Sequence, residues 1–185
     1  MINILCAKWG DVYDNKYVEI LYNMVSRNLS QPFKFFCYTD KYLYHDNINI
    51  IPIEYNRRTT WNKIDLFTLE NYFSGKCLYI DLDVVIQNKI DKLTNFNSFT
   101  TVYKYWYPDA VSGNLNSSVV LFNTDEEFIK LLRHEWYHNN HFYLNSNDII
   151  YEADEGILHM VNSKVTVKAN TFPEGLLYRY DFKNK

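Results

Sequence analysis

Cys77-Leu78-Tyr79-Ile80-Asp81-Leu82-Asp83-Val84-Val85-Ile86 is a run of mostly apolar residues interrupted by two carboxylates. Lys76 to Ile80 has the composition of a buried strand, and the pattern predicts that it runs on through the two acids into Val84-Val85-Ile86. In an extended chain residues two apart share a side, so Asp81 and Asp83 should project together while Leu82 faces the other way. Two carboxylates held together at the end of a buried strand repel each other and lose hydration, a penalty of several kcal/mol for each if isolated. A divalent cation removes both problems, and hard carboxylate oxygens suit Mg²⁺ or Mn²⁺. An ion held this way can grip a diphosphate and neutralise charge on a leaving phosphate oxygen. The competing reading is a solvated strand end with two capping aspartates, since D-x-D alone is a short motif.

Outward from this stretch the chain alternates strand and helix. Ile2 to Ala7 reads as a short buried strand bounded by the turn Trp9-Gly10-Asp11. Val18, Leu21, Tyr22, Val25 and Leu29 recur at helical spacing between Asn15 and Leu29. Phe33 to Tyr38 is a second apolar strand, and Ile48 to Ile53, which contains Pro52, suits an edge. Trp61 to Phe73 is helical in pattern and is stopped by Ser74-Gly75. Past the two acids, Phe99 to Tyr105 and Ser117 to Phe122 are further strands. Thr124 with Glu127 has capping-box spacing for a helix. A last helix is expected from about Asp148 to His159, and one or two short strands in Val165 to Asp181. The order predicts an α/β fold: a single mixed, mainly parallel sheet flanked by helices, with residues 1–185 as one compact domain. Ligands of such folds gather at the carboxyl ends of the strands.

Composition narrows the function. The chain has 185 residues, 19 basic against 22 acidic and a net charge of −3, which argues against a general nucleic-acid binder. Its 47% hydrophobic content argues against disorder. No apolar run approaches the ~18 residues that cross a bilayer, and the N-terminus lacks the features of a secretory signal, so a soluble, cytoplasmic chain is expected. Cys6, Cys37 and Cys77 are widely spaced, odd in number and set in apolar runs, as reduced structural residues would be.

Several segments, taken in order, resemble GT-A glycosyltransferases, in particular glycosyltransferase family 8 and related small GT-A proteins. LYIDLDVVI is similar to their D-x-D strand, and ILCAKWGDVY, followed by a helix, to the opening that holds the nucleotide. Trp61-Asn62-Lys63-Ile64-Asp65-Leu66-Phe67 resembles the segment whose basic residue contacts the donor. Asn116-Ser117-Ser118-Val119-Val120-Leu121-Phe122-Asn123 resembles the strand that opens with an asparagine near the donor sugar. Ala153-Asp154-Glu155-Gly156-Ile157-Leu158 resembles the Asp-Gln helix start that lines the reaction centre. The resemblance spans about residues 1 to 160 and has two departures. No histidine follows His159, where family 8 members supply a third metal ligand, and Glu155 stands where glutamine is expected.

What the resemblance implies is a metal-dependent transferase with a nucleotide-sugar donor, a UDP-sugar by preference, and a glycan or other hydroxyl acceptor. Asp81 and Asp83 would bind Mn²⁺ or Mg²⁺, Lys63 and Asn116 would orient the donor sugar, Trp9 would border the nucleotide, and Asp154, the catalytic residue, would face the acceptor and orient or deprotonate its hydroxyl. Each has an ordinary alternative: a solvated lysine, a turn-ending asparagine, a core tryptophan at a strand end, an acid on a helix surface. Arg179 or Lys183 could close over the diphosphate. Little chain follows Ser163, so a partner or second copy could help hold the acceptor, as a homo-oligomer would. Retention or inversion is open.

Two other classes compete. His134-Glu135-Trp136-Tyr137-His138 matches the zinc-peptidase signature H-E-x-x-H. Phe128, Ile129, Leu132 and Trp136 cluster on one side, however, with His134 almost opposite, and Asn139-Asn140 should end the helix at once. A non-catalytic domain binding sugar nucleotides or carbohydrate would keep the aromatic surfaces and need neither the metal pair nor Asp154.

Overall fold

A computed structural model of the chain describes residues 1–54, 60–105, 114–145, 154–164, 166 and 168–179. In chain order the elements are β1 (Ile2–Lys8), α1 (Asn15–Asn28), β2 (Phe33–Thr39), β3 (Ile48–Pro52), α2 (Trp61–Leu66) and β4 (Lys76–Ile80). A 3₁₀ turn (Asp91–Thr94), β5 (Thr100–Tyr103), β6 (Leu115–Asn123), α3 (Glu127–Asn145), α4 (Asp154–Lys164) and β7 (Asn170–Thr171) follow. The strands form one sheet in the order β3-β2-β1-β4-β6-β5-β7. β1 pairs in parallel with β2 and β4, β2 with β3, and β5 with β7. Only β6, antiparallel to both β4 and β5, runs the other way among these strands.

Period-two alternation divides the core between the two faces of the sheet. Leu5, Phe36, Cys77, Tyr79, Val120 and Phe122 face α2, α3 and α4. Ile4, Cys6, Phe35, Leu78, Ile80 and Leu121 face the other way, against Val18, Leu21, Met24 and Val25 of α1. The chain thus crosses from β1 to β2 on one face and from β3 to β4 on the other. The strand order therefore reverses between β1 and β4, the crevice where open α/β sheets bind ligands. Cys6, Cys37 and Cys77 are free and buried, and burial pushes the Cys77 thiol up to about 12. No helix among the described residues is long and apolar enough to cross a membrane.

Four local expectations are corrected. The strand of the two acids ends at Ile80 and does not run to Ile86. Asp81 makes one more sheet bond, from its N–H to the Ser118 carbonyl at 2.8 Å, and then the Val84 N–H donates to the Asp81 carbonyl at 3.2 Å, closing a turn. β1 pairs with β4 only as far as Tyr79, so a longer strand would leave backbone groups unpaired. The helix expected over 61–73 stops at Leu66 because the Thr68 hydroxyl takes the Asp65 carbonyl at 2.6 Å. Thr124 does not cap α3: its hydroxyl accepts the Gly75 N–H at 2.9 Å, and Gly75 has the positive φ, +83°, that this reversal requires. α3 continues through Asn139-Asn140 to Asn145, and the Asn139 amide donates one turn back to Glu135 Oε1 at 2.9 Å instead of breaking the helix. For the last helix, residues 148–153 lie outside the described residues, and α4 runs from Asp154 to Lys164.

Candidate active site

β4 delivers Asp81 to the crevice. Tyr79 and Asp81 share the α2 face of the sheet, and the Tyr79 hydroxyl donates to Asp81 Oδ1 at 2.5 Å. α2 delivers Lys63. All six residues of this helix are buried, wedged under α3, where Trp61 stacks on Trp136 at 5.6 Å and Trp136 Nε1 donates to Asp65 at 2.7 Å. Lys63 Nζ reaches both oxygens of Asp81 at 3.1 Å, Ser117 Oγ at 2.9 Å and Asp154 Oδ2 at 3.4 Å. The Ser117 hydroxyl in turn donates to Asp154. Lys63 is 4% exposed and Asp154 2%. Lys63 is thus no surface lysine, nor is Asp154 an acid on an open helix surface.

The electrostatics follow from burial. Burial opposes the Lys63 ammonium, but Asp154 and Asp81 outweigh it and hold its pKa above the usual lysine value. For Asp81 burial prevails over Lys63 and Tyr79, and the carboxyl sits above the ordinary aspartate range. Asp83 lies in the turn, exposed, and accepts from the Tyr13 hydroxyl at 3.3 Å. Partial burial first, then Asp83 and Asp81, push the Tyr13 phenol upward, so both carboxylates act on the same hydroxyl. The acids are therefore gathered by a turn, one held inside and one at the surface.

A second set lies beside the first. Lys104, just past β5 and 7% exposed, donates to Glu155 Oε2 at 2.7 Å. Asn116 Nδ2 donates to Glu155 Oε1 at 2.6 Å, and Asn116 Oδ1 accepts from the Ser118 N–H at 3.1 Å and from the Ser118 hydroxyl. Consecutive residues of β6, Asn116 and Ser117, thus reach consecutive residues of α4, Glu155 and Asp154. A regular strand would send them to opposite faces. Here the pairing with β5 jumps from Val102↔Asn116 to Thr101↔Val120, a bulge that turns both inward. The Thr101 hydroxyl fastens it, donating to the Asn116 carbonyl at 2.5 Å.

Trp9 ends β1 half-buried against the α2-side core, on the same carboxyl edge as Asp81. Beside it Gly10, at φ +60°, donates its N–H to Asp40 Oδ2 at 3.1 Å. Asp40 Oδ1 is buried and makes no hydrogen bond among the described residues. Sequence reasoning missed Tyr13, Asp40, Tyr79, Lys104 and Ser117. None belongs to a motif with a spacing signal, and for all but Tyr79, which bonds Asp81 two residues on, the partners are distant in sequence.

The H-E-x-x-H segment is built differently from a metal helix. His134 and His138 are exposed, with ring centres 4.4 Å apart. Glu135 turns away to Asn139 at 2.9 Å, to the Tyr143 hydroxyl and to Lys164 at 3.7 Å. Among the described residues no three His, Cys, Asp or Glu side chains form a metal-holding group.

At the crevice, four carboxylates (Asp81, Asp83, Asp154, Glu155) face two ammonium groups (Lys63, Lys104), a formal excess of two negative charges. Asp81 and Asp83 offer hard oxygen donors of the kind that Mg²⁺ or Mn²⁺ takes. Two carboxylates with remaining positions left to phosphate oxygens and water is a normal Mg²⁺ arrangement. The residues fit such an ion.

No family model matches the sequence, and no curated protein sequence matches it. Solved structures do. An active-site glutamine-to-glutamate mutant of LgtC aligns with a TM-score of 0.68 at 17% identity, over 91% of this chain and 72% of that one. The galactosyltransferase LgtC in complex with donor and acceptor sugar analogues gives 0.68 at 16%, with the same coverage. The glycosyltransferase GlyE of Streptococcus pneumoniae TIGR4 gives 0.66 at 14%, over 94% of this chain, which spans less than half (46%) of GlyE. This chain has the fold of these glycosyltransferases, a seven-stranded mixed sheet flanked by helices.

Proposed function

We propose that the protein is a metal-dependent glycosyltransferase that moves a sugar from a nucleotide-sugar donor, a UDP-sugar by preference, to a hydroxyl of a glycan or similar acceptor. The observation that carries this reading is the buried Lys63–Asp81–Asp154–Ser117 network at the switch point of the sheet, with Asp83 beside it. Its fold is shared with LgtC, a protein crystallised with donor and acceptor sugar analogues.

In this reading Asp81 and Asp83 hold Mn²⁺ or Mg²⁺, which when bound supplies Lewis-acid neutralisation of the diphosphate leaving group. Lys63 keeps Asp81 in place and opposes the upward shift that burial imposes on it, and its own pKa is held above the usual lysine value. Asp154 is a positioning residue that fixes Lys63 from behind and closes the acceptor side. Trp9 and Asp40 border the nucleoside, whose hydroxyl or amide donors would satisfy the free Asp40 oxygen. Asn116 and Glu155 face the donor sugar. LgtC crystallised with glutamate in place of an active-site glutamine, so a carboxylate in the reaction centre is compatible with this fold. The rate then arises from positioning and from charge stabilisation at the leaving group.

The test is a screen of nucleotide sugars for thermal stabilisation and donor hydrolysis, with and without Mn²⁺, on wild type and Asp83→Asn. Metal-dependent turnover that Asp83→Asn abolishes supports the reading. Metal-independent turnover, or donor binding unchanged in Asp83→Asn, overturns it in favour of a binding module.

A further inference from the structure

The Lys63 network is not the only lysine–acid unit at the crevice. Lys104, Glu155 and Asn116 form a second one, and its bonding leaves a specific set of free valences. Glu155 has both oxygens engaged, one by Lys104 at 2.7 Å and one by Asn116 at 2.6 Å, and it is still 20% exposed. Each carboxylate oxygen retains a lone pair, and the Asn116 amide retains one N–H. The amide cannot flip, because its oxygen is committed to the Ser118 N–H and hydroxyl. A fixed donor flanked by fixed acceptors is what vicinal sugar hydroxyls pair with. The unit is also tied to the metal-side acid: the Ser118 carbonyl accepts the Asp81 N–H at 2.8 Å.

We propose that Lys104 is a positioning residue for sugar transfer, holding Glu155, and through it the Asn116 amide, in the orientation that grips hydroxyls of the transferred sugar. This rests on the transferase reading and adds to it a residue from β5's end whose own ammonium points at protein. Removing Lys104 leaves Glu155 as an uncompensated carboxylate one residue from Asp154. It would then swing toward solvent and release Asn116. The donor's nucleoside and diphosphate would still bind through the other end of the crevice, so the loss falls on kcat more than on KM.

The experiment compares wild type, Lys104→Met, Lys104→Arg and Lys104→Met/Glu155→Gln for metal-dependent donor hydrolysis, with a melting curve for each. A 1 Å misplacement of a reacting group costs on the order of 10²-fold in rate. Lys104→Met is accordingly expected to lower kcat about 10- to 100-fold, with the donor KM changed less than about threefold. The double variant, which needs no cation, should recover most of that loss, as should Lys104→Arg; if Lys104→Met does not fold, Lys104→Gln takes its place with the same expected loss. A Lys104→Met protein that melts lower yet keeps wild-type kcat and KM overturns the inference while leaving the transferase reading intact. So does a double variant no better than Lys104→Met. A wild-type protein that turns over no nucleotide sugar overturns both.

Discussion

Lys63 brings one ammonium within 3.4 Å of four oxygens, two of Asp81 and one each of Ser117 and Asp154. Breaking a buried ion pair on one side typically costs 3–5 kcal/mol, because the remaining charge is stranded. Asp81 keeps 24% of its side chain exposed and relieves part of that cost. Lys63→Met should therefore destabilise the protein by about 3 kcal/mol in denaturant unfolding, and metal-dependent donor binding should disappear. The sequence around it, Trp61-Asn62-Lys63-Ile64-Asp65-Leu66, alternates apolar and polar residues as a half-exposed helix would. That pattern concealed its complete burial. Periodicity identifies a polar side, and water is only one of the things that can satisfy it; here the polar side meets Asp81, Asp154 and the Trp136 indole. Asp81 and Asp83 could be picked out because two charges in an apolar run stand out. Lys104 and Ser117 could not, since one lysine at a strand end and one serine among small residues are unremarkable until α4 is placed over them.

At the scale of elements, boundaries moved where a side chain took over a backbone bond. Glu126 is the clearest case: its carboxylate accepts the Phe99 N–H at 2.7 Å and the Asn123 N–H at 3.0 Å, joining the start of β5 to the end of β6. Glu126→Ala leaves both donors unpaired, at a cost of about 1–3 kcal/mol for each that stays buried. Burial raises this carboxyl above the ordinary 4.5 despite the two bonds. The folded state thus holds its proton more tightly than the unfolded chain does. Its contribution to stability is fully present below pH 4.5 and is lost as pH rises through the folded-state value. The stability deficit of Glu126→Gln, which cannot titrate, should then be larger at pH 4.5 than at pH 7, as read from urea midpoints. Trp136, 1% exposed, stacks on Trp61 and bonds Asp65, so it is the support of α2. Trp136→Ala should cost about 3–5 kcal/mol and weaken donor binding by loosening Lys63. The bulge in β6 had no sequence signature. Strand residues on either side of it satisfy the same alternation, and only the pairing with Thr101 and Val102 reveals the extra residues.

For the whole molecule, alternation of strands and helices was enough to predict a mixed, mainly parallel sheet, because buried parallel strands read as apolar runs and the helices between them as periodic ones. The direction of β6 was not predictable. Local pattern does not encode strand direction, and residues 106–113, which connect into it, lie outside the described residues. Binding should register on this scale as well. A donor–metal pair present at about 100 times its Kd adds about 2.7 kcal/mol, and for a domain this size that raises Tm by roughly 5–10 °C. Thermal scans with UDP-sugars and Mn²⁺ measure it, and Asp81→Ala should reduce the shift to nothing.

The partners that meet around Asp81 are drawn from far along the polypeptide: Lys63 lies 18 positions from it, Ser117 54 positions from Lys63, and Asp154 37 from Ser117. Such separations make loop closure slow relative to hairpins and isolated helices. During refolding, catalytic competence should consequently return later than bulk helical signal, and a chain halted before Asp154 emerges would carry the sheet's first strands yet recognise nothing.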